Sequence, residues 1–464
     1  MKTILINFGN SFFVRNFLRT DALPILRSAG YIRIVLLAPA EKIEYYKKEF
    51  PYPELVFGAL PNTKNFLVER FFRFLETASV HTHTATMIRR YDFVRSRGGK
   101  FLATRLWLAV LRRACWELGR FRWWRKCIRR VYFLFPSATF REAFLIYKPD
   151  LVYCPTMLYH DMRIVKEAKK AGIKTLGMIL SWDNLYSKSL IRVHPDRLLV
   201  HTELARKQAE KFGDYPPERV QVTGIAQYDR YFTKKDIIPR EDFMRDIGAD
   251  PHKKLIVYGT SGKGSLWIDL DILGIVAEEI KKQSFGEPFE LLLRAHPRYD
   301  LPAHKLEFIR NQYHFLAIPS TKHLGGGQND WEFDEEKTAF LANTLAHADI
   351  IISMYSTFFI EAAVFDRPLI GIAFDGEKKR PYWDSAVRFF EWDHLKEIRE
   401  LKGIWHVRSR AELVDAINAY LKNPALYCEG RARMKEVQSQ YTDGKSAERV
   451  ARCMIGLLKE GNSV

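Results

Sequence analysis

Apolar residues along this 464-residue chain come in two alternating forms. Short, nearly continuous runs of Ile, Val and Leu alternate with longer stretches where apolar residues recur every three or four positions. The runs at 3–8, 33–37, 150–153, 174–180 and 197–201 read as strands, as do those at 220–223, 255–258, 289–293, 315–318, 350–353 and 369–373. Continuous apolarity marks strands buried on both faces, the habit of parallel sheets. Helical stretches separate most of them, so the pattern predicts α/β architecture with doubly wound sheets. The first run turns at Gly9-Asn10-Ser11 into a helix reaching about Ser28, a βαβ opening.

The most informative stretch covers 348–376. Ile350, Ile351 and Ile352 form a buried strand, and Ser353, Tyr355, Ser356 and Thr357 mark the turn after it. Phe358 to Phe365 suits a helix, Arg367-Pro368 stops it, and Leu369 opens the next strand. A helix N-terminus carries unpaired N–H groups and about half a positive charge, so hydroxyls there favour a phosphate. Glu361, one turn beyond Thr357, is within reach of a ribose hydroxyl. Doubly wound sheets receive nucleotides at the carboxyl ends of their strands.

The pattern changes from about 65 to 147, where it is helical, long and basic. Between Arg89 and Arg130 stand fourteen Lys/Arg against Asp92 and Glu117, a net +12 of the chain's +18. Trp107, Trp116, Trp123 and Trp124 lie among them, and Trp107, Val110, Leu111, Ala114 and Leu118 share one face at helical spacing. Cations beside tryptophans suit an anionic membrane surface. Nucleic acid is a second partner of the right charge, and a solvated face on a helical insertion is the third reading.

The length predicts two domains. Pro216-Pro217, within 214–219, marks the hinge, giving 1–213 with the insertion at about 65–147, and 214–464. An apolar fraction of 47% supplies a large core and excludes general disorder. Cys115, Cys127, Cys154, Cys428 and Cys453 are scattered without metal-ligand spacing, which predicts a reduced, cytoplasmic chain. The opening MKTILINFGNSFF reads as a core strand rather than a secretory signal. No uncharged run approaches the ~18–20 residues that span a bilayer. Neither a metal nor a cofactor is expected.

Four places carry candidate chemistry. Arg294-Ala295-His296-Pro297 ends a strong strand, and both Arg294 and His296 can donate to a phosphate oxygen, although a lone His is as readily structural. Gly259-Thr260-Ser261-Gly262-Lys263-Gly264 follows another strand. Small residues let a pyrophosphate approach the backbone and Lys263 neutralises it, but the spacing is not that of a P-loop, and a plain Gly-rich turn has the same composition. Asp183, in Ser181-Trp182-Asp183-Asn184, ends strand 174–180. It suits a general base or an Asx-turn or N-cap. Lys188 nearby can hold an acceptor anion or a leaving phosphate. His81 and His83 lack companions for a metal site and read as a loop on the basic surface. Gly325-Gly326-Gly327 marks a long loop over the cleft.

Taken in order, four segments resemble a known family. Val222-Thr223-Gly224-Ile225-Ala226-Gln227-Tyr228-Asp229 resembles the "TG-x-x-x-x-D" turn of GT-B enzymes, and Arg294-Ala295-His296-Pro297 their "R-x-H-P". The segment from Ala348 to Thr357 is similar to "DiliSDYSS", and Asp443-Gly444-Lys445-Ser446-Ala447-Glu448-Arg449-Val450 to "DGKASERI". The set resembles CDP-glycerol glycerophosphotransferases and related capsule and surface-polysaccharide glycosyltransferases, from about Lys174 to the end. UDP-GlcNAc 2-epimerases share the fold. The resemblance implies two Rossmann-like domains facing a cleft, the nucleotide mainly on the second and the acceptor on the first, with the last helix crossing back. With the residue readings above, the candidate nucleotide or phosphate ligands are Thr260, Ser261, Lys263, Arg294, Ser356, Thr357 and Glu361. Asn10, Ser11 and Lys188 fall on the acceptor side, and Asp183 and His296 are catalytic. Two positions depart from the pattern. Asp183 stands where the family's "W-H-G-T-P-L-K" has its His, and Met354 replaces the Asp of "SDYSS". Both departures favour a sugar transferase acting in surface polysaccharide synthesis, and stabilisation of the leaving phosphate by side chains and a helix end makes a metal unnecessary. The enzyme would take a sugar from a nucleotide donor to a glycan or lipid-linked acceptor at the inner membrane face. Glycerol- or ribitol-phosphate transfer is the alternative enzyme, and a non-catalytic membrane or polyanion binder the alternative from another class.

Overall fold

The first apolar run becomes β1 (Lys2–Asn7), whose side chains alternate between two cores: Ile4 and Ile6 face one, Leu5 the other. This is why the run is continuous rather than alternating. The structure is a computed structural model, and it describes all residues except 10, 62–66, 96–101, 159–160, 189, 263–264, 298, 300, 319–321, 324–330 and 461–464. The chain forms two units, Met1–Gln227 with Lys445–Val464, and Tyr228–Gly444.

In the first unit β1 is joined by β2 (Ile32–Ala38), β3 (Leu55–Ala59), β4 (Leu151–Cys154), β5 (Lys174–Met178), β6 (Arg197–Val200) and β7 (Val220–Val222). They form a seven-stranded sheet in the order β3-β2-β1-β4-β5-β6-β7, parallel throughout. The direction of growth reverses between β1 and β4. β7 pairs with β6, so the residues after Pro216-Pro217 belong to this unit through Gln227. The helix Ser446–Lys459 covers one face. Its Ala447, Val450, Ala451, Met454 and Leu457 recur at helical spacing and are buried against β1, β2 and β4. The opposite face is covered by Ile164 and Val165, and by Phe72, Ile128 and Tyr132 from the insertion.

Among the described residues the insertion contains helices Leu67–Ala78, His83–Arg95, Leu102–Gly119, Arg122–Leu134 and Arg141–Tyr147. It is tied to the unit by Arg192, which is 1% exposed and pairs with Glu76 at 2.5 Å and Glu69 at 3.2 Å. Burial pushes the Glu76 carboxyl up to about 8, only partly offset by Arg192.

In the second unit β8 (Lys254–Gly259), β9 (Phe289–Arg294) and β10 (Leu316–Ile318) precede a two-stranded ribbon, β11 (Lys322–His323) and β12 (Trp331–Glu332). β13 (Ile350–Ser353), β14 (Leu369–Ile372) and β15 (Trp405–Val407) follow. The six-stranded sheet runs β10-β9-β8-β13-β14-β15, again parallel throughout, and reverses its growth between β8 and β13. Each unit is thus a Rossmann-like layer structure, the α/β class expected from the pattern. Four strands were not legible in it: the two of the short ribbon, which fall in the expected loop, and β3 and β15. Gly58 interrupts β3 and the three residues of β15 include His406, so neither shows a long β-branched run. β3 and β15 both lie at sheet edges.

Candidate functional site

Three strand ends meet at the reversal point of the second sheet, where a doubly wound fold leaves a crevice for ligands. β8 lies between β9 and β13. Beyond β8, the Thr260 amide donates to the Arg294 carbonyl at 3.1 Å, and the Thr260 hydroxyl accepts from the His296 amide at 2.8 Å. On the other side the Ser353 hydroxyl donates to the Gly259 carbonyl at 2.8 Å. Gly259 has to be glycine because a Cβ there would lie 2.8 Å from the Phe358 ring. That close approach brings the turns together: the Arg294 guanidinium sits 4.6 Å from the centre of the same Phe358 ring. Arg294 is therefore held at the start of the helix Phe358–Val364, next in sequence to Thr357.

The turn after β13 is preformed. The Ser356 hydroxyl accepts from the Phe358 amide at 3.1 Å. Thr357 is exposed and its side chain makes no capping bond, so its hydroxyl is not spent on the helix. The Tyr355 hydroxyl meets Ser265 at 3.2 Å, across the turn after β8. Glu361 is buried, and its Oε2 accepts from the Tyr231 hydroxyl at 2.8 Å.

Beneath these turns lies Asp269, which the sequence reading missed. It accepts from the Ser261 amide at 3.2 Å, the Ser261 hydroxyl at 3.3 Å and the Tyr258 hydroxyl at 2.9 Å. Burial pushes its carboxyl up to about 7, although these bonds oppose the rise. The signal was an acid inside the apolar segment Leu266–Ile275, on a helix following a candidate phosphate turn. Lys263, with Gly264, lies outside the described residues, as do Gly325-Gly326-Gly327 and Asn10.

In the first unit Asp183 leads into the short helix Asn184–Ser187 without capping it through its side chain. Its carboxylate is paired with Lys188 at 3.1 Å and approached by the Ser187 hydroxyl at 3.4 Å, so two expected residues are brought together. The Asp183 side chain keeps 22% of its exposure. Ser11 is buried, its hydroxyl accepting from Lys42 at 3.1 Å.

The reversal point of this sheet holds a cluster the sequence reading missed. Asp161 accepts from the Asn7 amide group at 2.6 Å, the Thr156 hydroxyl at 2.6 Å and the Thr156 amide at 3.1 Å. Burial raises its carboxyl, and the Thr156 and Asn7 hydrogen bonds only partly offset this. Asn184, beside Asp183, reaches the Thr156 carbonyl at 3.4 Å. Asp161 stands seven residues beyond β4, too far for the end of that strand to point to it.

Among solved structures the chain is similar over 98% of its length to all of the UDP-GlcNAc 2-epimerase from Neisseria meningitidis, at 13% identity and TM-score 0.56. A putative UDP-N-acetylglucosamine 2-epimerase from Listeria monocytogenes aligns at 12% identity and TM-score 0.56, with 98% and 96% of the two chains covered. A glycosyltransferase from Rickettsia africae aligns at 11% identity and TM-score 0.50, over 99% of each chain. At these identities the likeness is one of fold, the GT-B arrangement of two Rossmann-like domains. No match was found among curated proteins. The family model for CDP-Glycerol:Poly(glycerophosphate) glycerophosphotransferase matches residues 187–456, more than half of the sequence and including every second-unit turn described above. The chain therefore belongs to the CDP-glycerol:poly(glycerophosphate) glycerophosphotransferase family and is a transferase of polymer biosynthesis.

Proposed function

We propose that this transferase moves a sugar from a nucleotide-sugar donor to a glycan or lipid-linked acceptor during surface polysaccharide synthesis. The observation that carries the reading is the seating of Arg294 on Phe358, with Thr260 hydrogen-bonded to the Arg294 and His296 backbone. In this reading the Arg294 guanidinium, the His296 imidazole and the hydroxyls of Ser261, Ser356 and Thr357 serve one phosphate site. In this reading Arg294 and His296 stabilise the charge growing on the departing phosphate, usually the largest catalytic contribution. Glu361 bonds a ribose hydroxyl. Asp183 takes the proton of the attacking acceptor hydroxyl, while Lys188 and Ser11 line the acceptor side. Thermal-shift titration with UDP, CDP, GDP and CMP and their sugar conjugates tests this. One diphosphate and its sugar conjugate should raise Tm, and an unmoved Tm across the series would overturn the reading.

The family match favours a second reading, transfer of glycerol or ribitol phosphate from a CDP donor. It predicts that CMP, the product of such a transfer, binds as well as any diphosphate. The replacement of the family's His by Asp183 and of its turn Asp by Met354 weighs against it.

No helix among the described residues is long and apolar enough to cross a membrane. We propose peripheral attachment at the inner face through the insertion. Trp107 is 63% exposed and Trp123 58%, on helices of net positive charge, the composition of an interfacial surface.

A further inference from the structure

The first unit contains a cavity of about 180 Å³ between the insertion, the short helix behind Asp183 and the end of the helix Glu203–Gly213. A single bound water needs only ~10–15 Å³ on the same measure, so this space suits a larger ligand. Leu185, Leu190 and Phe212 give it an apolar wall. Among the described residues its ionisable lining is His81, Arg120, Arg125 and Lys211, with no acid. His81 stacks on Trp116 with ring centres 3.9 Å apart and donates from Nδ1 to the Trp116 carbonyl at 2.8 Å, which fixes its ring in the wall.

The surrounding charge is unbalanced. Asp214 pairs with Arg122 at 3.3 Å, Arg125 at 2.6 Å and Arg129 at 2.7 Å, one carboxylate against three guanidiniums. Burial alone would raise its carboxyl, but hydrogen bonds from Arg125 and Arg129 outweigh this and hold it at about 2. Among the described residues Arg120 and Lys211 have no carboxylate within ion-pair distance. A cationic pocket of this kind attracts an anion with oxygen acceptors.

We infer that this cavity binds a phosphate ester, its phosphate against Arg120 and Lys211 and its organic part against Leu185, Leu190 and Phe212. A lipid headgroup and a soluble organic phosphate share that chemistry. Arg120 is followed by the exposed Phe121 and Trp123, which brings a lipid within reach. The inference does not depend on the donor assignment, which concerns the other unit.

The test uses the full chain and two double variants. Arg120→Ala with Lys211→Ala removes two exposed cations from the cavity. Lys47→Ala with Lys48→Ala removes two exposed cations elsewhere on the same unit. Circular dichroism melts establish that both fold. Calorimetry with inorganic phosphate reads the soluble source. Co-sedimentation with phosphatidylcholine vesicles, with and without one-third phosphatidylglycerol, reads the lipid source. The expected result is at least tenfold weaker binding of phosphate, of anionic vesicles or of both in the cavity variant, with the control variant unchanged. Phosphate binding alone assigns a soluble ester, and vesicle binding alone assigns a headgroup. Equal behaviour of the two variants in both assays, or no binding by the native chain in either, overturns the inference. Loss of vesicle binding in both variants alike would leave general membrane attachment standing while the cavity assignment fails.

Discussion

Asp183 and Arg294 owe their places to different forces. Asp183 is held by a half-exposed ion pair with Lys188, worth little energetically, so substitution there should act on chemistry rather than on folding. Asp183→Asn keeps the shape but cannot take a proton. Turnover should fall roughly 10²–10⁴-fold with nucleotide binding intact, measured with the donor identified by titration. A near-native rate would reduce Asp183 to a turn residue. On the nucleotide side, the His296 bond to Thr260 uses the backbone amide, and Thr357 makes no capping bond. His296→Ala with Thr357→Val should therefore spare the fold and weaken nucleotide binding. Each lost charge-assisted hydrogen bond contributes about 1.5–3 kcal/mol. Calorimetry on the folded double variant checks this, and unchanged affinity would remove both residues from the site.

At the scale of elements, the site is a set of short turns resting on a buried acid. Asp269 ties the end of β8 to the helix that follows, through Tyr258 and Ser261. Its carboxyl sits at about 7 in the folded chain against an ordinary 3.8. Since the folded value is raised, its contribution to stability is fully present below about pH 4 and is lost as pH rises through about 7. Asp269→Asn cannot ionise. The stability difference, variant minus native, should thus move in the variant's favour between pH 5 and 8, by at most about 1.4 kcal/mol per pH unit. Buried His194 and His406, held at about 3 and about 4, are common to both proteins and cancel in the difference. Parallel stability–pH curves would show that Asp269 does not titrate in this range.

At the scale of the molecule, the last helix completes a core that begins at residue 4. Met454 is fully buried with Ile4, Ile6 and Ile34. Met454→Ala should cost about 2–5 kcal/mol, as for other large-to-small core changes. The loss should appear in the first unit, because Met454 packs in that unit's core. Hydrogen exchange resolved by peptide checks this: amides of β1, β2 and β4 should exchange faster, while those of β8 and β13 stay protected. Uniform loss of protection would instead mean that the two units unfold together.

Much of this was legible in the chain itself. Runs such as Ile350-Ile351-Ile352 declare a strand buried on both faces, because only a parallel sheet between helices hides every side chain. The order of strand, small-residue turn and helix then predicts where a crevice opens, since the turns at Thr260 and Ser356 follow strands by sequence alone. Other features required the folded chain. β3 and β15 carry weak patterns because an edge strand packs on fewer neighbours. Which strands are adjacent is a long-range choice, and that adjacency is what sets Arg294 on Phe358 and Asn7 on Asp161. The buried acids were missed for the same reason: a carboxylate is tolerated inside only when distant donors meet it. Spacing along the chain predicts elements, whereas the pairing of charges and hydroxyls is settled only when tertiary packing brings together groups as far apart as Gly259 and Phe358.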